Sequence, residues 1–373
     1  MKNVALQVAV VSLSLCAAAG TKVWVGESGG LWGEASNWDP SGVPSYTDVV
    51  VFRPVGEMIV ENKTVSTCNG MRFESGSVLL YSSANRIYLN TGTNDIYVAP
   101  GVTACVSNAV VSKGSDPRAT PKKTGTGTLV IRGKKDENWG NDWGRMSAFD
   151  FAEGVTEFRC AGTVQFGRPI TIRSGATVKS PKDYAFHASN TPITIEEGGV
   201  LDLDGASTVY MAGLNGAGVV TNVSTISSVR LVGGPYRFSG KIYPKQPNGK
   251  AVFSIAPRAD SSATEDEWKQ YVCSSDAFAN VQFQFPSSST GGCPLCFAAG
   301  IGTFNIKDIQ GNDKTHLVLE DEDGQPVTVN ARYSNLLKLR LKGSGTLRNY
   351  YPSYSSYGST VDISSFSGTL AQA

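Results

Sequence analysis

The chain has 373 residues, with 33 Lys and Arg against 32 Asp and Glu and a formal net charge of +1. So even a balance leaves no basic footprint for nucleic acid and no attraction to an anionic membrane surface. Only 17% of residues are charged and 41 are glycine, a composition that suits many short strands joined by tight turns.

Residues 1–19 read as an export signal: Lys2 opens it, residues 4–15 are nearly all apolar, and Ala17-Ala18-Ala19 offers an A-x-A cleavage site. The apolar run is too short to cross a bilayer as a helix. The reading places residues 20–373 in the secreted or cell-surface compartment, with no transmembrane segment. A lipid on Cys16 would want a small residue before it, where Leu15 stands. Beyond the signal, Trp24, Trp32 and Trp38 are expected to pack as an N-terminal cap over the first coil of a solenoid.

The solenoid is read from a repeat. A turn glycine followed within three residues by an apolar strand former recurs at Gly56, Gly76, Gly101, Gly127, Gly154, Gly175, Gly198, Gly218 and Gly240, and again at Gly302, Gly324, Gly345 and Gly368. The steps are about 20–27 residues, and the 240–302 gap approximates three more. Short alternating runs such as Val78-Leu79-Leu80-Tyr81 and Ile193-Thr194-Ile195 flank the glycines. Units of this kind bury an inner face only by stacking. The predicted fold is therefore all-β, a right-handed parallel β-helix over residues 20–373. A β-sandwich also has short strands and frequent turns, but two sandwiches would want a central linker, and the repeat runs unbroken from 56 to 240. One stretch, 257–280, departs from the pattern. Thr264-Glu265-Asp266-Glu267 is a capping box before Trp268-Lys269-Gln270-Tyr271-Val272, which predicts a short helical insertion.

The opening Trp24-Val25-Gly26, Gly30-Leu31-Trp32, Ser36-Asn37-Trp38, Val43-Pro44 and Asp48-Val49-Val50-Val51-Phe52 resembles that of exported bacterial proteins carrying autotransporter-associated β-strand repeats. Gly125-Thr126-Gly127-Thr128-Leu129, Phe238-Ser239-Gly240 and Phe366-Ser367-Gly368-Thr369-Leu370 are similar to later phrases of that family. The resemblance implies a parallel β-helix outside the cell, in adhesion or surface layers. It lacks the terminal membrane barrel of an autotransporter, so the chain is expected to be secreted free or to be the front of something longer.

Chemistry-bearing residues are sparse. Glycoside cleavage needs two placed carboxylates; Asp202 and Asp204 share a strand face but also read as an ordinary strand end. His187 and His316 lack the neighbours of a catalytic base. Six cysteines follow the signal. Cys68, Cys105 and Cys160 sit in strand-like sequence, and Cys293-Pro-Leu-Cys296 has no second pair for zinc. The run Glu320-Asp321-Glu322-Asp323-Gly324 lacks calcium-loop spacing and reads as a solvated turn. No metal and no cofactor are implied. The candidate ligand residues are aromatic. Asn138, Trp139, Asp142 and Trp143 form a polar loop whose indoles could stack on a sugar while the amide and carboxylate bind its hydroxyls. Tyr351 and Tyr354, with Tyr350 and Tyr357, sit among serines as either a recognition surface or a shield for the solenoid end. The leading expectation is a non-enzymatic surface or extracellular module, structural or adhesive, with a polysaccharide or cell-surface partner. The alternative is a carbohydrate-binding or polysaccharide-degrading β-helix.

Overall fold

The computed structural model describes residues 20–82, 87–89, 95–107, 110–112, 120–132, 149–159, 164–166, 169–180, 185–203, 208–223, 229–231, 235–249, 251–255, 269–284, 295–310, 316–333, 340–349 and 362–372. These are almost entirely strands, paired nearly everywhere in parallel. The chain forms a parallel β-helix, as the repeat predicts. Parallel crossovers between strands of one sheet wind right-handed for L-residues.

Each early coil has three faces. Val49–Phe52 lies on the first, Glu57–Asn62 on the second and Ser66–Cys68 on the third. Gly70–Phe73 then returns to the first face one coil on, setting Met71 beside Val50 and Phe73 beside Phe52. The second face is a ten-stranded parallel sheet from Gly30–Leu31 to Lys241–Pro244. Alternation decides what each strand buries. In Ser77–Ser82, Val78, Leu80 and Ser82 point inward and are buried, while Ser77, Leu79 and Tyr81 stand outside. Like residues meet along the inner columns, and the Phe52 and Phe73 rings stack with centroids 5.1 Å apart. Each fully buried aliphatic or aromatic side chain contributes about 1.5–3 kcal/mol of transfer free energy, and the column adds these coil by coil.

The marker glycines from Gly56 to Gly240 sit at the entry to second-face strands, for two physical reasons. Some, such as Gly175 at φ +80°, hold the left-handed conformation that side chains resist. Others have ordinary φ but no room: a Cβ on Gly127 would lie 2.2 Å from Ala99 O.

The expected cap is present. Thr21–Trp24 pairs antiparallel with Trp38–Asp39 and parallel with Val49–Phe52, closing the first edge. Trp24, Trp32 and Trp38 are buried. Trp38 stands edge-on to both other indoles at 5.0 and 4.9 Å, and its Nε1–H donates to Trp32 O at 2.8 Å.

Two expectations need correction. The first concerns the described part, residues 269–280, of the helical insertion expected at 257–280. Its capping box lies outside the described residues, but Gln270–Val272 is a strand, paired with Tyr236–Phe238 and Leu295–Phe297. Alternation overrides the local helix signal here: Gln270 and Val272 face inward and are buried, with Tyr271 between them outside. The Gln270 amide substitutes for backbone. Its Oε1 accepts from Leu214 N–H at 3.0 Å, and its Nε2 donates to Leu214 O at 3.1 Å, joining positions 56 residues apart. The second correction concerns the 240–302 gap. It holds two coil steps, since Tyr236–Phe238, Gln270–Val272 and Leu295–Phe297 are direct neighbours on one face. One step is long because residues 256–268 intervene. On the second face, residues 275–280 form a turn where a strand would stand. It is pinned by Asn280 Nδ2 to Ile242 O at 3.1 Å, and Ser275 O accepts from Asn305 N–H at 2.7 Å.

Candidate functional site

Asn138, Trp139, Asp142, Trp143, Tyr351 and Tyr354 all lie outside the described residues. The first four fall between the strands Thr128–Arg132 and Phe149–Phe151. Charged groups frame both ends of that interval. Beside Arg132 on the second face lies Arg159, whose guanidinium grips Glu157 at 2.7 and 2.8 Å. At the return, Asp150 takes Arg173 through both oxygens, at 2.7 and 3.0 Å, and Arg173 also reaches Glu196 at 3.3 Å.

The other sequence candidates are placed as follows. Asp202 ends the strand Val200–Asp202 and accepts from Asn222 Nδ2 at 2.8 Å; Asp204 lies outside the described residues. His187 belongs to the strand Ala185–Ile195, where its backbone neighbours Gln165 and Tyr210. His316 opens the strand His316–Val318. Cys160 and Cys293 lie outside the described residues, while Cys68, Cys105 and Cys273 are free thiols. Burial pushes all three thiols above their ordinary pKa, the opposite of what a reactive thiolate needs.

The acidic run is a turn whose first three carboxylates are all engaged. Glu320 accepts from Ser344 N–H and Oγ–H at 3.0 Å each, and Asp321 Oδ1 accepts from the backbone of Asp323 and Gln325. Glu322 reaches back to Arg237, 85 residues earlier. The guanidinium donates to both carboxylate oxygens at 2.8 and 2.7 Å, and Ala299 N–H adds a third bond at 3.2 Å. Arg237 also lies 4.8 Å from the Tyr271 ring centroid, on the next rung. This fork-to-fork pair on an aromatic platform was not legible from sequence, because nothing local marks two residues so far apart. Among the described residues no group of three or more His, Cys, Asp and Glu is placed to hold a metal. No known protein family, curated protein or solved structure matches the chain.

The Arg237 hydrogen bonds hold the Glu322 carboxyl down at about 2. Its contribution to stability is therefore complete above the ordinary value near 4.5 and is lost as pH falls from there towards 2. Unfolding midpoints of the parent chain and Arg237→Ala should differ at about pH 6 and converge on acidification. Parallel curves over that range would show that the pair contributes nothing.

Proposed function

We propose that the chain is an exported, non-enzymatic β-helix module, structural or adhesive, acting at the cell surface or outside the cell. One observation supports this reading above others: several outward ion pairs tie one coil to another. Arg53 reaches Glu74 in the next coil at 2.6 Å, Arg173 joins Asp150 and Glu196 in the coils on either side of it, and Arg237 reaches Glu322 past two intervening coils. Isolated exposed pairs contribute little. Several of them along a stacked core add to the nearest-neighbour contacts that hold the coils in register, as a structural or displaying module needs. The signal-like residues 1–19 and the resemblance to autotransporter-associated repeat proteins support the extracellular setting.

The second reading is carbohydrate binding through Trp139 and Trp143, favoured by two indoles in an otherwise polar segment. Native affinity electrophoresis of residues 20–373 through gels cast with a panel of polysaccharides separates the two. Unchanged migration in every gel is expected for the scaffold. Retardation by one polymer, abolished by Trp139→Ala with Trp143→Ala, would replace the scaffold reading with glycan binding.

A further inference from the structure

The inner column next to the first corner reads Phe52, Phe73 and Val98 along successive coils. In the next coil the register brings Gly125 to that place, since Thr124 lies beside Tyr97. A side chain cannot stand there: a Cβ on Gly125 would meet Val98 O at 2.2 Å. The space is filled from two residues away. Lys123 points inward between Ile96 and Phe151, and its side chain is fully buried. Its Nζ turns onto the corner and donates to Gly127 O at 2.7 Å, to Glu153 O at 2.8 Å and to Gly125 O.

These three carbonyls belong to two successive coils. Gly125 at φ +73° and Gly154 at φ +66° shape the two corners from which they converge. The Glu153 carboxylate closes the same corner by accepting from Gly125 N–H at 2.9 Å. Three ammonium donors thus meet three carbonyl acceptors, a fully satisfied arrangement. Burial still lowers the Lys123 pKa to about 8, against the opposing pull of Glu153.

We propose that this corner is a monovalent-cation site that the protein fills with its own ammonium group, so that Lys123 clamps two coils as a tethered ion. The three oxygens that the ammonium touches are neutral carbonyls, which suit a singly charged ion such as potassium or a primary alkylammonium. Calcium would demand more oxygens, carboxylates among them. The clamp makes the contact between Lys122–Thr124 and Phe149–Phe151 independent of any free ion.

The test uses the full chain and two variants. Lys123→Met keeps the apolar stem and removes the cation; Lys123→Ala vacates the whole path. Thermal unfolding is followed in potassium, propylammonium or choline chloride at one ionic strength. The expected result is that Lys123→Met unfolds below the parent chain in every salt. Lys123→Ala should show a saturable rise of about 2–4 °C in potassium or propylammonium over choline, a response the parent and Lys123→Met lack. Should Lys123→Ala not survive purification, its refolding yield in the same three salts is the readout, with the same order expected. The proposal is overturned if Lys123→Met matches the parent, or if Lys123→Ala, by melting or by refolding, is indifferent to the cation.

Discussion

Trp32→Ala is expected to destabilise the chain by about 3–5 kcal/mol, the range for emptying a buried aromatic site. Trp32 is completely buried. Its ring lies 4.9 Å from Trp38 and 6.3 Å from Phe52, so it bridges the cap to the first full coil. Its carbonyl also takes the Trp38 indole N–H. A solenoid is stabilised by nearest-neighbour contacts and needs its end covered, so the loss should propagate as fraying from that end. Chemical denaturation gives the magnitude, and amide exchange across Val49–Phe52 against Ile170–Ile172 gives the location. Val55→Ala is the control, because Val55 is fully exposed and its truncation should change stability by about 0.5 kcal/mol or less. A Trp32→Ala cost no larger than the control's would mean that the indole cluster does not hold the cap.

The second large effect is Gly240→Val, expected to cost about 3 kcal/mol or more through overpacking. Gly240 has no left-handed backbone to explain it. A Cβ there would lie 1.9 Å from Gly218 O, which is backbone and already accepts Lys241 N–H at 3.0 Å. Gly218 is itself held by the coil before, its N–H donating to Ile195 O at 2.9 Å. Gly175→Ala is the contrast. It has φ +80° and nothing within 4 Å of a Cβ, so it meets only the left-handed penalty of about 1–2 kcal/mol. Equal losses in the two variants, measured by urea denaturation, would show that the carbonyl contact does not limit Gly240.

Those two glycines also show how far the sequence can be read. Both carry the same mark in the repeat, and both stand at the entry to a second-face strand. Which is required by φ and which by a neighbouring carbonyl depends on the distance to the coil before, and no local pattern encodes that distance. Gln270 shows the same limit. Its segment carries a helix-capping signal, yet the positions that stack against Phe238 and Phe297 favour a strand, and the buried glutamine is satisfied by Leu214 in an earlier coil. No local pattern in the sequence distinguishes Lys123 from Lys122 beside it. Only the register, which brings Gly125 to the place held by Phe52, Phe73 and Val98 in the coils before it, shows why Lys123 turns inward.

By itself the sequence determined the all-β class, the parallel coils, the glycine-marked turns and the tryptophan cap. These follow from alternation and from a repeat that returns each inward residue to the same column. Only the tertiary structure decided which charges pair between coils, that Gln270–Val272 joins the first face as a strand, and how a buried ammonium came to close a corner. Each of these depends on contacts between residues roughly one coil or more apart, and the register of the stack sets which residues meet.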